Sequence, residues 1–203
     1  MTDNNLYSRE ENRQFLMDQY GFTADQLEGI DLTRFIADYQ LRTRDYPAEK
    51  VQGFLRRNRD IYQDDGTTEL YALLDTAEEG GLPEGAAVQR IGYYRNVGAL
   101  RQRMVFDLAN GVYYLDDATA HPLTTEQTGL LKGTADRWGV PGWEPYCQGE
   151  EQPTTGSFRW RLVFELEDGS RCAYGGYTGD MSHLPANFSD LDRELLGVMK
   201  NAG

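Results

Sequence analysis

The stretch that decides the fold is GALRQRMVFDLANG, at residues 98–111, together with its near-copy GSFRWRLVFELEDG, at residues 156–169. Aligned without a gap, at an offset of 58 positions, the two share both glycines, both arginines and the valine, phenylalanine and leucine that follow. Each stretch alternates in polarity and ends in Asn-Gly or Asp-Gly, the strongest short signal for a β-hairpin. Strand-like runs follow at 112–115 and 170–174. The pattern therefore predicts two hairpins.

A loop with one histidine and then a helical pattern follow each hairpin; the histidines are His121 and His183. The sequence therefore predicts two ββα units, over residues 98–138 and 156–200, in a pseudo-duplicated ββαββα arrangement. The alternative is that two unrelated hairpins share a pattern that β-propensity favours. In either case we expect the two hairpins to be structurally equivalent.

The predicted fold class is α+β, with a helical N-terminal part followed by an antiparallel sheet that carries helices on its apolar face. We expect the two long strands to pair with each other at the centre of the sheet. Their hairpin partners then lie outside them, and a further strand at 88–95 adds to an edge.

The alternation of polarity assigns the two faces of the long strands. Apolar residues from Leu100 to Leu108 and from Phe158 to Leu166 point to the core, and the opposite face carries four arginines: Arg101, Arg103, Arg159 and Arg161.

Direct pairing of the long strands would set Arg101 opposite Glu165 and Arg159 opposite Asp107, as cross-strand ion pairs. The other interpretation of the four arginines is a site for an anion or a carboxylate, since guanidinium groups suit bidentate recognition.

Domain organisation follows from composition. Residues 1–65 have helical periodicity, with Asp31 as an N-cap. Residues 66–86 form an acidic connecting segment that ends in turn-rich sequence. Residues 87–203 form the sheet domain, and the whole chain is short enough to be one compact unit.

Composition and charge limit the class of protein. The chain has 33 acidic and 20 basic residues, a formal net charge of −13. This charge disfavours a nucleic-acid partner, which is bound through basic side chains. The sequence has neither a membrane-spanning apolar run nor a signal-peptide pattern, so we expect no membrane partner and a cytoplasmic location.

The leading functional hypothesis is a non-enzymatic protein-binding or regulatory protein that meets a basic protein partner. It rests on the acids between residues 60 and 84, with Glu69, Glu78 and Glu79 as candidate contacts, because an acidic surface speeds association with a basic partner. The alternative is that these acids form a solvated, like-charged surface without a binding function.

Two further hypotheses stay open at this point. One is a small-anion-binding protein or a hydrolase-type enzyme that uses the arginine-bearing sheet face or the loop of His183. The other is a structural protein that forms homo-oligomers through exposed edge strands.

The glycines between the second hairpin and its helix are Gly175, Gly176 and Gly179. A phosphate-cradling loop would place a lysine or hydroxyl residue directly after them, as in the P-loop. We therefore interpret this stretch as a connection after a strand ending near Tyr174, in preference to a ligand loop. The glycines then allow positive φ angles or close packing.

No metal site, cofactor or catalytic residue is predicted. His121, Cys147, Cys172 and His183 each stand alone, whereas structural zinc sites bring their ligands in close pairs. We expect the two cysteines to be free thiols, and a disulfide between them is the alternative.

Overall fold

The computed structural model describes Tyr7 and residues 9–75, 81–97, 100–148, 157–179 and 183–200 of the chain. It divides into two compact units, Met1–Ala72 and Leu73–Gly203. This division lies within residues 66–86. None of the helices in the described ranges is long and apolar enough to cross a lipid bilayer.

The first unit is helical. Its helices are α1 (Arg9–Tyr20), α2 (Ala24–Leu27), α3 (Leu32–Tyr39), α4 (Ala48–Asn58) and α5 (Thr67–Tyr71), with a 3-10 turn at Arg59–Tyr62. The predicted cap at Asp31 is confirmed, because its Oδ1 accepts a hydrogen bond of 2.9 Å from the main-chain N–H of Arg34. A compact core holds this unit together, and its fully buried members include Leu16, Phe35, Ile36 and Val51.

The second unit contains a seven-stranded sheet and three helices. In chain order the elements are β1 (Val88–Val97), β2 (Leu100–Asp107), β3 (Val112–Leu115), β4 (His121–Pro122), α6 (Thr125–Lys132), α7 (Thr134–Arg137), β5 (Tyr146–Gln148), β6 (Phe158–Leu166), β7 (Arg171–Thr178) and α8 (Phe188–Lys200). Two 3-10 turns, at Ala72–Asp75 and Val140–Gly142, complete the described elements. The α+β class with N-terminal helices is confirmed.

The strand order is β4-β3-β2-β1-β6-β7-β5. All neighbours pair antiparallel except β5 and β7, which are parallel, so the sheet is mixed and not purely antiparallel. The prediction of an edge strand at 88–95 is wrong, because β1 lies at the centre between the two long strands. β1 is long enough to pair along both of them, and its Ile91 and Tyr93 are fully buried.

Central placement of β1 also overturns the predicted ion pairs. Arg101 and Arg159 do not face Glu165 and Asp107; both face Asn96 of β1 instead. The alternation of polarity assigned each arginine to the correct face of the sheet, but this alternation carries no information on which strand lies next to the arginine.

The two hairpins are not structurally equivalent, contrary to expectation. Phe106 pairs with Tyr113, whereas Phe164, its counterpart 58 positions later, pairs with Cys172. An exact repeat would pair Phe164 with Arg171. The registers therefore differ by one residue, which moves equivalent side chains of β3 and β7 to opposite faces.

Helices α6, α7 and α8 cover the apolar face of the sheet. The core includes Leu131 of α6, Ala135 of α7 and Leu191 and Leu195 of α8, together with the inward residues of the long strands. Each large apolar side chain buried there stabilises the fold by about 1.5–3 kcal/mol. Leu100 is an exception to the predicted pattern, because it is 53% exposed at the start of β2.

A polar cluster ties α8 to the central strand. Asp192 accepts hydrogen bonds from the Tyr93 hydroxyl at 2.6 Å and from Arg95 Nη1 at 2.9 Å. Burial, followed by the nearby Asp192 carboxylate, raises the pKa of Tyr93 well above its ordinary value. The hydroxyl therefore stays protonated and acts as a hydrogen-bond donor.

Candidate functional site

The strand register brings the four predicted arginines onto one face of the sheet, in two rows. In the outer row, Asn96 of β1 lies between Arg101 of β2 and Arg159 of β6. Neighbouring strands are about 4.8 Å apart, so the Cα atoms of the two arginines are separated by about 10 Å. Arginine side chains are long enough for both to reach a ligand that lies over Asn96.

In the inner row, Tyr94 of β1 lies between Arg103 and Arg161. The two rows are two residues apart along each strand, a distance of about 7 Å. We call the six residues of the two rows the arginine face. The sequence predicted its arginines, but not the Tyr94 and Asn96 side chains between them.

Both outer arginines are exposed and lie over tyrosine rings. The guanidinium carbon of Arg101 is 5.5 Å from the centre of the Tyr94 ring, and that of Arg159 is 5.5 Å from the centre of the Tyr177 ring. Neither arginine forms an ion pair with any residue that the structure describes. A guanidinium stacked on a ring keeps its in-plane N–H donors for a carboxylate or a phosphate.

The inner arginines are half-buried. Arg103 Nη2 donates a hydrogen bond of 3.0 Å to the main-chain carbonyl of Asp116. Arg161 lies beside Gly175 of β7, where a Cβ atom would be 3.7 Å from Arg161 Nη1. Tyr146 of β5 continues this row beyond Gly175 and is 51% exposed.

A buried turn lies on the same face, beside the inner row. Leu73 and Leu74 of the 3-10 turn Ala72–Asp75 pack on Gly92 of β1, where a Cβ atom would be only 3.0 Å from Leu74 Cδ2 and 3.1 Å from Leu73 Cδ2. Both leucines are buried. Glycine at this position therefore makes room for the turn.

Asp75 is the last residue of this turn and is exposed. Desolvation by the surrounding protein raises the pKa of Asp75, and the positive charges of Arg161 and Arg103 oppose that rise. Since the Asp75 side chain is still exposed to solvent, the change corresponds to little free energy.

The other end of this face is internally paired. Glu165 accepts hydrogen bonds from Arg90 Nε at 2.7 Å and Nη2 at 2.8 Å, and from Arg171 Nε at 2.8 Å. Glu165 is 7% exposed, so its charge is compensated almost entirely by these two arginines. Arg101 and Arg159, in the outer row at the opposite end of the face, are exposed instead.

The remaining predicted site residues lie elsewhere. His183 is exposed in the turn before α8, and His121 stacks on Tyr113 with ring centres 5.0 Å apart. The strand register places neither histidine in the arginine rows. Glu69 is exposed on α5 of the first unit, whereas Glu78 and Glu79 lie outside the described residues.

The glycine-rich stretch is a strand and not a loop, because β7 continues through Thr178. Gly176 is required for close packing, since a Cβ atom there would lie 2.5 Å from the Cys147 carbonyl oxygen and 2.8 Å from Trp160 Nε1. The parallel pairing of β5 with β7 produces this close approach.

Both cysteines are free thiols. Desolvation, and to a lesser degree the charge of Glu144, raises the pKa of Cys147, which favours the protonated thiol. Within the described ranges, no group of three or more His, Cys, Asp or Glu side chains is arranged to hold a metal ion.

Comparison of the chain with protein-family models, with curated proteins and with solved structures found no match. The chemistry of the site is therefore argued from its own groups. The arginine face offers guanidinium and amide donors beside aromatic rings, and these groups recognise anions and planar acids.

Proposed function

We propose that this protein is a binding protein whose arginine face recognises the carboxylate or phosphate group of an acidic ligand. The observation that carries the proposal is the outer row. Two exposed arginines, Arg101 and Arg159, flank the Asn96 amide across three strands without an ion pair among the described residues.

The supporting framework for this row is rigid. Its side chains project from the three central strands of a seven-stranded sheet, which positions them more accurately than a loop would. Stacking on Tyr94 and Tyr177 restricts each guanidinium, so less side-chain entropy is lost when an anion binds.

Charge also supports the proposal. The chain has a net charge of −13, and Arg90, Arg95 and Arg137 each form an ion pair with a carboxylate. The two arginines of the outer row form no such pair with any residue that the structure describes. Binding at an exposed row should weaken as salt rises, because interactions between exposed charges are screened over about 10 Å at 0.1 M ionic strength.

We further propose that β2 and β6 derive from one duplicated strand, which is the part of the predicted pseudo-duplicated ββαββα arrangement that the pairing with β1 supports. Every β1 residue from Ile91 to Val97 that pairs with both strands meets residues 58 positions apart in sequence. Duplication would explain why equivalent arginines stand on both sides of Tyr94 and of Asn96.

Titration calorimetry with inorganic phosphate and, separately, with acetate tests the function and distinguishes the two anion sources. We expect Arg101→Gln and Arg159→Gln each to weaken binding by about ten- to a hundredfold, because a hydrogen bond to a charged group contributes about 1.5–3 kcal/mol. Arg101→Lys should retain part of the affinity, since lysine keeps the charge but loses the bidentate fork.

The matched control is Arg193→Gln, which removes an exposed arginine of α8 that pairs with Asp190 at 3.0 Å. It should leave binding unchanged. Equal losses in the control and in the outer-row variants would show a general charge effect and would contradict the proposal, as would no binding of either anion.

The hypotheses of a basic protein partner near Glu69 and of homo-oligomers stay predictions. Within the residues that the structure describes, the edge strands of the sheet are short, β4 with two residues and β5 with three. Short edge strands offer few main-chain groups for pairing with another copy.

A further inference from the structure

A cavity in the helical first unit combines an apolar floor with a cationic rim. Its volume is about 220 Å³, and its lining residues are Phe22, Gln26, Gln52, Leu55, Arg56 and Arg59. We infer that this cavity binds a small aromatic carboxylate of the size of benzoate, with the ring on the floor and the acid group at the rim. The inference goes beyond the proposed function and does not rest on it.

The floor of the cavity is formed by two members of the core of the first unit. Phe22 is 5% exposed and Leu55 is 2% exposed. The Phe22 ring packs edge-on against Phe35, with ring centres 6.4 Å apart. An apolar cavity of about 150 Å³ holds one benzene molecule in other proteins, so the volume here is sufficient for one ring and an acid group. An aromatic ligand also gains from contact with the Phe22 ring beyond the area that it buries.

The polar walls of the cavity are held in place by hydrogen bonds to the main chain. Gln26 Oε1 accepts a hydrogen bond of 2.9 Å from the Thr23 N–H, which leaves the amide NH2 group of Gln26 as a donor for a ligand. Gln52 Nε2 donates a hydrogen bond of 2.7 Å to the last carbonyl of α1. Arg59 donates from Nη1 and Nη2 to the carbonyls of Gln26 and Glu28, at 2.7 and 2.8 Å. Side chains that are already ordered lose little entropy when a ligand binds.

The rim carries the charge that selects an acid. Arg56 is exposed near the end of α4, and Arg59 directs its donors to main-chain carbonyls, which leaves its charge uncompensated. Neither arginine forms an ion pair with a residue that the structure describes. In a chain with a net charge of −13, two such guanidinium groups at one cavity favour an anionic ligand. Arg56 can bind a carboxylate through two parallel N–H groups.

NMR titrations that follow the side-chain amide resonance of Gln26 measure affinity at this cavity alone. We expect benzoate to bind at least about tenfold more tightly than benzyl alcohol, which lacks the charge, or acetate, which lacks the ring. Arg56→Gln should weaken benzoate binding by about tenfold and leave benzyl alcohol binding unchanged, because the hydrogen bonds that it removes are made to a charged group.

The matched control is Arg57→Gln. Arg57 is the adjacent exposed arginine in the last turn of α4, and its guanidinium carbon lies 5.8 Å from the centre of the Phe54 ring, outside the residues that line the cavity. The variant removes the same charge from the same helix end and should retain benzoate binding. Equal losses in Arg56→Gln and Arg57→Gln would show a general charge effect and overturn the inference.

The location of bound benzoate separates this inference from the proposed function. Benzoate protons should show nuclear Overhauser contacts to the Phe22 ring and the Leu55 methyl groups. Contacts to Tyr94 in their place would put benzoate at the arginine face and overturn the inference, as would equal affinities for benzoate and benzyl alcohol. Contacts to Phe22 without any phosphate binding at the arginine face would support the cavity site and contradict the proposed function alone.

Discussion

The hairpin β2–β3 and the hairpin β6–β7 have nearly the same sequence pattern and different environments. Leu100 and Phe158 are equivalent positions, yet Leu100 is 53% exposed and Phe158 is 2% exposed. Asp107 and Glu165 are equivalent as well, and both face Arg90; Glu165 forms an ion pair with Arg90, whereas Asp107 accepts hydrogen bonds from Asn110. A repeated pattern of polarity thus determines which face a residue takes, whereas its neighbours depend on the position of the strand.

The connections of the two hairpins account for their different registers. The last pair of the first hairpin, Asp107 with Val112, encloses residues 108–111. The last strand pair of the second hairpin, Glu165 with Arg171, encloses residues 166–170. One extra residue shifts the register by one, so Arg171 stays on the polar face while Tyr113 turns to the apolar one.

The hairpins also extend in opposite directions across the sheet. β2 and β6 both run antiparallel to β1 and present equivalent residues to it, but β3 and β7 lie on opposite outer sides. When β2 is superposed on β6 with their faces matched, β3 and β7 therefore do not superpose. The likeness is therefore a property of the two long strands and does not extend to the whole hairpins.

Substitution of the two equivalent apolar positions gives the largest expected difference between the hairpins. Phe158→Ala should lower the free energy of unfolding by about 3–5 kcal/mol, because it leaves a cavity beside Phe188, whose ring centre is 5.7 Å away. Leu100→Ala should cost less than about 0.5 kcal/mol. Urea unfolding of both variants measures the contrast, and equal costs would contradict the different burial of the two positions.

Substitution of the equivalent acids comes next in size. Glu165→Gln should destabilise the fold by about 1.5–3 kcal/mol, because Arg90 and Arg171 lose their common carboxylate. Asp107→Asn should cost under about 1 kcal/mol, since among the described residues its carboxylate accepts side-chain and main-chain hydrogen bonds from Asn110 alone, within a turn. Thermal unfolding at pH 7 tests the pair. A larger effect at Asp107 would contradict the assignment of the ion-pair cluster to the second long strand.

A glycine substitution tests the neighbour that only the second hairpin has. Gly176→Ala should cost about 1–3 kcal/mol, because its Cβ atom would meet the Cys147 carbonyl of β5 at 2.5 Å. Gly175→Ala is the matched control in the same strand, with its nearest contact at an acceptable 3.4 Å. Similar unfolding free energies for the two variants would show that β5 does not pack closely against β7 at Gly176.

The sequence was sufficient to predict the faces of the long strands, the two turns and the N-cap at Asp31. It was insufficient to place β1, because Arg90, Tyr94 and Asn96 give that strand the half-polar pattern of an edge. In the structure these polar side chains lie on the arginine face, which is itself polar, so a central strand can carry them.

The parts of the candidate site that the sequence did not reveal depend on contacts between distant segments. Asp75 belongs to a short turn whose place on the sheet is set by Leu73 and Leu74 against Gly92. Gly176 belongs to a glycine-rich stretch that is typical of a loop, but it lies in strand β7, where β5 approaches it closely. Neither contact leaves a periodic signal in the sequence near these residues.

The smallest expected difference lies in the two turns, at the equivalent positions Asn110 and Asp168. Asp168 accepts hydrogen bonds from the Ser170 hydroxyl at 2.6 Å and the Ser170 main-chain N–H at 2.9 Å. These bonds lower the pKa of Asp168 below its ordinary value. The ionised form is therefore favoured in the folded state, and the small stabilisation is present above the ordinary aspartate pKa and is lost as pH falls through the lowered value.

Carboxyl NMR shifts recorded against pH measure this effect directly. Asp168 should titrate below an ordinary aspartate, and Ser170→Ala should move its midpoint upward, because the hydroxyl hydrogen bond contributes most to the shift. The first hairpin has an uncharged asparagine at this position, so its turn has no corresponding titration. An unchanged Asp168 midpoint in Ser170→Ala would mean that the turn chemistry of the two hairpins is the same, and the difference between them would then rest on burial and neighbouring strands alone.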